Sequence, residues 1–185
     1  MKNKKFVSVI LGGTFDPPHE GHLYISNLII KKFKFKTCIW AINDRNPFKQ
    51  KKPKFSIKQR ISKCRRLIKN NSKIKIKNFK YTNTYNLIKK IKVNSQKKVF
   101  FIIGSDNLIN LHKWFKFKKT MEKINFIIVE RPGYRNTLKR SNFFKQYCKF
   151  QIKGKVKAES FAQKSWFYCK TKGVNISSSN LRNSL

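Results

Sequence analysis

The sequence predicts an α/β fold, a doubly wound parallel sheet with helices on both faces, in a single domain. Three observations carry this. Short apolar runs recur at 6–11, 37–42, 99–103, 126–129 and 166–169, bounded by glycine-containing or polar segments. Between the runs, apolar residues recur at helical spacing. The run Val99-Phe100-Phe101-Ile102-Ile103 has no polar alternation at all, as expected of a parallel strand buried on both faces.

Taken in order, 6–11 reads as a first buried strand. The string Gly12-Gly13-Thr14-Phe15-Asp16-Pro17-Pro18-His19-Glu20-Gly21-His22 then reads as a glycine-rich turn into a helix whose apolar positions include Leu23, Ile25, Leu28 and Ile29. Thr37-Cys38-Ile39-Trp40-Ala41-Ile42 follows as a second strand, and strand, helix, strand begins a parallel sheet. Ser56 offers an N-cap to a helix with Ile57, Ile61, Cys64 and Leu67 on one face. Ile74-Lys75-Ile76-Lys77 alternates strictly, which predicts a third strand with one wet face at or near an edge.

Thr84 is expected to cap the helix containing Leu87, Ile88 and Ile91. The central strand 99–103 ends at Gly104-Ser105-Asp106, and Leu108, Leu111 and Trp114 continue in a short helical pattern. The strand 126–129 ends at Glu130-Arg131-Pro132-Gly133-Tyr134. From 135 to 164 the pattern is poor, 166–169 reads as a late strand, and the serines near Ser177 offer caps to a last helix.

The glycine string has a chemical meaning at that position. The first amides of a helix lack partners within it and its dipole is positive there, so the end attracts phosphate. Gly12 and Gly13 admit a ligand close to the backbone, and the three-residue spacing of His19 and His22 puts both imidazoles on one face of the first turn. Gly104-Ser105-Asp106, Arg131 and the serine run also follow predicted strands. In an open sheet such segments converge on one cleft at the carboxyl ends of the strands.

The chain has 185 residues, 39% of them hydrophobic, enough for one core. No apolar run approaches a membrane span, and the stretch after Met1-Lys2-Asn3-Lys4-Lys5 is too short for a signal peptide. Four scattered cysteines without a C-x-x-C pair fit free thiols in a reducing compartment. A cytoplasmic location is expected. The formal charge of +38, from 45 Lys+Arg against 7 Asp+Glu, raises the alternative of a basic nucleic-acid-binding protein. The lysines, however, are spread along the whole chain, as compositional drift towards lysine, asparagine and isoleucine would leave them, so no dedicated nucleic-acid partner is expected.

The string His19-Glu20-Gly21-His22 resembles the H-x-G-H signature of nucleotidyltransferases. Gly104-Ser105-Asp106, Trp114, Arg131-Pro132-Gly133-Tyr134 and Ile176-Ser177-Ser178-Ser179-Asn180-Leu181-Arg182 follow in the order found in bacterial nicotinate-nucleotide adenylyltransferases. The resemblance implies a Rossmann-like fold over 1–185. It also implies transfer of the adenylyl group of ATP to nicotinate mononucleotide in NAD biosynthesis, giving deamido-NAD and pyrophosphate. A related chemistry, such as that of phosphopantetheine adenylyltransferase, is the alternative.

By the same resemblance, His19, His22 and Arg182 would be catalytic. Gly12, Gly13, Thr14, Phe15, Gly104, Asp106, Ile176, Ser177, Ser178 and Ser179 would join them in binding ATP. Thr14, Phe15, Asp16, Thr84, Asn86, Trp114, Phe115 and Arg131 would bind the mononucleotide, with its carboxylate on main-chain amides at a helix start near Trp114-Phe115. Mg²⁺ would arrive with ATP, with no metal ligand from protein side chains. Asp106 can accept from ribose hydroxyls, Trp114 offers a flat face to the pyridine ring or to the core, and Arg182 can hold phosphates in a fork. This chain departs from the family pattern at Phe48, where a loop histidine is usual, at Asn86, where a threonine is usual, and in a shortened C-terminal helix.

Overall fold

The computed structural model describes residues 8–48, 51–91 and 98–171. Among the described residues, strands and α-helices follow in the order β1 Ser8–Gly13, α1 Glu20–Phe33, β2 Thr37–Ile42, α2 Ile57–Leu67, β3 Ile74–Asn78, α3 Thr84–Lys90, β4 Phe100–Gly104, α4 Phe117–Met121, β5 Asn125–Val129, α5 Thr137–Arg140, α6 Asn142–Tyr147, β6 Gln151–Ile152 and β7 Trp166–Cys169. The strands form one seven-stranded sheet in the order β3-β2-β1-β4-β5-β7-β6, all pairs parallel. This is the Rossmann-like α/β fold expected. The chain runs outward from β1 to β3, returns to β4 beside β1 and then runs the other way, which leaves a crevice at the carboxyl ends of β1 and β4.

The period of two along each strand divides the core between the two faces. Val9, Leu11, Phe100, Ile102, Ile127 and Val129 face one cluster, and Ile10, Phe101, Ile103, Phe126 and Ile128 the other. Phenylalanine fills much of both, with edge-on contacts such as Phe33 to Phe167 at 5.1 Å and Phe143 to Trp166 at 5.1 Å. At the edge strand β3, Ile74 is buried and Ile76 half-buried while Lys75 and Lys77 are exposed and keep the outer face charged, which discourages pairing with another chain.

Several boundaries differ from the sequence expectation. Gly12 and Gly13 close β1, in register with Ala41 and Ile42, so the turn begins at Thr14. His19 is the extended N-cap of α1, with φ −151°, rather than a residue of its first turn. Asn83, not Thr84, caps α3, accepting the Asn86 N–H at 3.0 Å, because a carboxamide one residue earlier reaches the third amide of the helix. The helical pattern after β4 resolves into two short 3₁₀ turns, Ser105–Ile109 and Leu111–Lys113. Ser56 caps α2 as expected. Among the described residues, no helix is long and apolar enough to cross a membrane.

Candidate active site

A cavity of about 500 Å³ opens in the crevice between β1 and β4. Its walls come from Gly12, Gly13, Thr14 and His22, from the loop after β2 (Asn43, Asn46, Phe48), from Tyr81 to Thr84, from Gly104, Asp106 and Asn107, and from Lys113, Trp114, Phe115 and Arg131. The sheet thus brings together, as expected, segments that lie more than a hundred residues apart in the chain, from Gly12 to Arg131.

The two histidines pack with tilted rings over an aromatic floor. Their ring centroids are 3.9 Å apart, and behind His22 lie Phe15 at 4.7 Å and then Trp40, which stacks on Phe15 at 5.0 Å. The Trp40 indole N–H donates to Ser26 Oγ at 2.8 Å, and Ser26 in turn donates to the His22 carbonyl at 2.8 Å. The first turn of α1 is therefore fixed from the core. His22 Nδ1 accepts the main-chain N–H of His19 at 3.2 Å. The proton of the neutral ring consequently sits on Nε2, the nitrogen left to act as a donor.

Burial pulls the His22 pKa well below 6.5, helped by the neighbouring charges of His19 and Arg131. The His19 pKa falls to about 4, chiefly by desolvation and further by Arg131. Both rings are neutral near pH 7. Nδ1 of His19 is buried without a hydrogen-bond partner.

Close approach at the strand end depends on Gly12, where a Cβ would lie 3.1 Å from Tyr81 Oη and against the Phe101 ring. Tyr81 itself donates to the Ala41 carbonyl at 2.8 Å. Beneath the loops sits Arg60, 3% exposed. Its guanidinium donates to the carbonyls of Thr14 at 2.7 Å, Asn43 at 2.8 Å, Phe55 at 3.1 Å and Asp44 at 3.2 Å. Asp16 answers it with acceptors, taking the N–H groups of Lys54 at 2.9 Å and Phe55 at 3.0 Å. One buried cation and one buried carboxylate thereby bolt together the two loops that carry Thr14 and Phe48.

On the opposite wall, Arg131 Nη1 meets Asp106 Oδ2 at 2.9 Å, with the two side chains 32% and 28% exposed. At that exposure the pair contributes about 1 kcal/mol or less. The main chain beneath it is fixed, since the Arg131 N–H donates to Ser105 Oγ at 2.9 Å. Gly104 makes room, because a Cβ there would collide with Asp106 Oδ1 and lie 2.9 Å from Arg131 Cδ.

Of the residues singled out in the sequence, Gly12, Gly13, Thr14, His22, Thr84, Gly104, Asp106, Trp114, Phe115 and Arg131 line the cavity. His19 is not part of the cavity lining; it is buried, 7% exposed, against His22. Three expectations change. The Phe15 ring, 1% exposed, supports His22 instead of facing the cavity. The Asp16 carboxylate, 3% exposed, is committed to the loop amides. Asn86 is absent from the cavity wall, which Asn83 lines instead while also capping α3 through the Asn86 N–H.

The Trp114-Phe115 pair lies between a 3₁₀ turn and α4 rather than at a helix start, and the Trp114 N–H is spent on the Leu111 carbonyl at 3.1 Å. Ile176, Ser177, Ser178, Ser179 and Arg182 lie outside the described residues. Sequence reasoning missed Arg60, Tyr81, Asn83 and Lys113. Only Arg60 carried a signal, as a cation one turn into a helix at a position where Ile57, Ile61 and Cys64 mark the inner face.

Among the described residues, no group of three or more His, Cys, Asp or Glu side chains is arranged to hold a metal ion.

The family model described as cytidylyltransferase-like matches residues 10–184. The probable nicotinate-nucleotide adenylyltransferase of Pelagibacter ubique (strain HTCC1062) is 36% identical over 186 residues, 98% of this chain and 95% of that one. The nicotinate-nucleotide adenylyltransferase of Bacillus subtilis (strain 168) is 31% identical over 163 residues, 84% of this chain and 85% of its own. In fold, the chain is similar to the solved structure of Plasmodium falciparum nicotinic acid mononucleotide adenylyltransferase complexed with NaAD, with a TM-score of 0.69 and 22% identity over 95% of this chain and 82% of that one. A match over residues 10–184 and relatives of one name, around an H-x-G-H histidine pair in the switch-point crevice, place this chain in the cytidylyltransferase-like family, among the relatives named nicotinate-nucleotide adenylyltransferase.

Proposed function

We propose that this enzyme joins ATP and nicotinate mononucleotide to give deamido-NAD and pyrophosphate. The observation that supports it most is the neutral His22, its tautomer set by the His19 amide, on the wall of a cavity that also holds Gly12, Asp106 and Arg131. An oxygen of the mononucleotide 5′-phosphate attacks the α-phosphorus of ATP. The new P–O bond forms as the bond to the bridging oxygen breaks, and the electron pair leaves with pyrophosphate. A phosphate monoester is already largely deprotonated at neutral pH, its second pKa being about 6, so no general base is required.

The protein's part is positioning and electrostatics. His22 Nε2–H donates to a phosphate oxygen as charge grows at the α-phosphorus. Being neutral beforehand, it enters the site without the cost of a buried cation. Amides and small residues at the end of β1 let the phosphates approach the backbone. Asp106 accepts from the ribose, and Trp114 with Phe115 faces the pyridine ring. On sequence resemblance alone, Ser177 to Ser179 and Arg182 would close the triphosphate side. Mg²⁺ belongs to the substrate as MgATP, where it neutralises phosphate charge. The four cysteines are unpaired, which supports the cytoplasmic location suggested by the sequence.

The test is pyrophosphate release with ATP and, in turn, nicotinate mononucleotide, nicotinamide mononucleotide and phosphopantetheine. Turnover fastest with nicotinate mononucleotide is expected. Turnover with phosphopantetheine alone would overturn the assignment.

A further inference from the structure

We propose that Arg131 is a catalytic cation of the triphosphate subsite, stored on Asp106 and released when the ribose hydroxyls of the incoming nucleotide take that carboxylate. This rests on the adenylyl transfer proposed above, and it moves Arg131 from the mononucleotide side, where the resemblance puts it, to the ATP side.

The first support is the composition of the wall. Among the described residues lining the cavity, Asp106 is the one carboxylate, and Arg131 and Lys113 are the fixed cations. A ribose diol seeks an acceptor with two oxygens. In the free protein, Asp106 Oδ2 is occupied by Arg131 at 2.9 Å, while Oδ1 has only a long contact of 3.4 Å from Asn107 Nδ2. A diol spanning both oxygens therefore meets the guanidinium.

Mobility is the second support. The main chain of Arg131 is pinned through Ser105, so the motion required is that of the side chain alone. The ion pair is about one third exposed, in reach of a ligand and weak enough to exchange. Gly104 lets the arm lie directly on the strand end beside Asp106, since a Cβ there would meet Arg131 Cδ at 2.9 Å.

The third support is where the arm can reach. The Arg131 charge acts on both imidazoles, contributing to the lowered pKa of His19 and of His22, so the guanidinium already lies within electrostatic range of the histidine pair. His22 and Arg131 line the same cavity, so a phosphate held by His22 stands in the space that the freed arm enters. A planar fork suits two phosphate oxygens, and it would neutralise the charge that moves onto pyrophosphate as the bond to the bridging oxygen breaks. The step forms no covalent bond to the arginine and moves no proton. Ribose recognition becomes a condition for placing the cation, so an anion without the sugar gains less from the site.

The experiment is a two-by-two cycle of kcat, at saturating nicotinate mononucleotide, for wild type and Arg131→Gln with ATP and with 2′,3′-dideoxy-ATP. In the wild type, removing the hydroxyls should lower kcat about 10-fold or more, and Arg131→Gln should lower kcat with ATP by about 10- to 100-fold. In the variant, the hydroxyls should no longer matter to kcat, with a penalty under about twofold, because the residue they release is gone. Its KM for ATP should hold or fall, since Asp106 is then open. Asp106→Asn gives a second reading that does not depend on how Arg131→Gln folds, and it too should lose the hydroxyl dependence of kcat.

Additive penalties in an active enzyme would overturn the proposal. So would a variant whose only change is a raised KM for the mononucleotide, which would return Arg131 to the acceptor side. Absence of pyrophosphate release by the wild type with both substrates would instead remove the underlying reading, and the proposal with it.

Discussion

The main-chain N–H of His19 donates to Nδ1 of His22 across one helical turn at 3.2 Å, so the cap of the helix also sets the tautomer of the ring that lines the cavity. Removing that ring should act on the transition state. His22→Ala is expected to lower kcat by about 100-fold or more while changing the KM for ATP by less than about threefold. Steady-state kinetics with both substrates checks this, and a rise in KM with kcat unchanged would contradict it.

The buried His19 makes stability depend on pH in a defined window. Its pKa is about 4 folded against 6.5 unfolded, so between these values the unfolded chain binds more protons. The stabilisation of the neutral ring is complete above pH 6.5 and is lost as pH falls towards 4, by up to about 3 kcal/mol. With only 7 Asp+Glu in the chain, few carboxylates compete for the effect. Urea midpoints measured from pH 7 to 4.5 should fall in the wild type and fall less in His19→Asn. Equal slopes would show that His19 is not held neutral by the fold.

Most of the scaffold was legible because its signals are local. The period of two at Ile74-Lys75-Ile76-Lys77, the unbroken run around Phe101 and the Ser56 cap each depend on a few neighbouring residues, and each is where the sequence placed it. The glycine string and its histidines were legible as chemistry, yet their exact geometry was not. Whether Gly12 and Gly13 end a strand or start a turn is decided by pairing with Ala41 and Ile42.

The illegible residues are those whose partners are distant. Asp16 reaches amides at Lys54 and Phe55, and Arg60 reaches carbonyls from Thr14 to Asp44, so nothing near either residue announces its use. In 135–164 the elements are four and six residues long or shorter, below the length at which periodicity can be read.

Arg60 yields a prediction that separates scaffold from chemistry. Replacing it with methionine keeps much of the side-chain volume but leaves four main-chain carbonyls without their donor in a buried site. Arg60→Met should cost about 3–5 kcal/mol of stability, read as a fall in the urea midpoint. A loss below about 1 kcal/mol would mean that water replaces the guanidinium freely and that the loops do not depend on it.

The final prediction concerns how the pyridine ring is held. Trp114 lines the cavity yet also packs edge-on against Phe126 at 6.4 Å, so it has one foot in the core and one in the site. Its N–H is engaged by Leu111, which removes that amide as a partner for the nicotinate carboxylate and leaves the indole face as its contribution. Phe48 and Phe115, 47% and 52% exposed, stand on the same cavity, so the acceptor end is more aromatic than a loop histidine would make it. Trp114→Ala should weaken nicotinate mononucleotide by roughly 1 to 3 kcal/mol, the scale of losing one stacking partner. ATP affinity should be nearly unchanged, because the proposed adenosine side rests on Asp106 and the strand ends and not on the indole. Titration of each substrate separately decides the matter. Equal loss for both would make Trp114 a core residue whose removal collapses the cavity as a whole, and the acceptor ring would then have to be sought against Phe48 and Phe115.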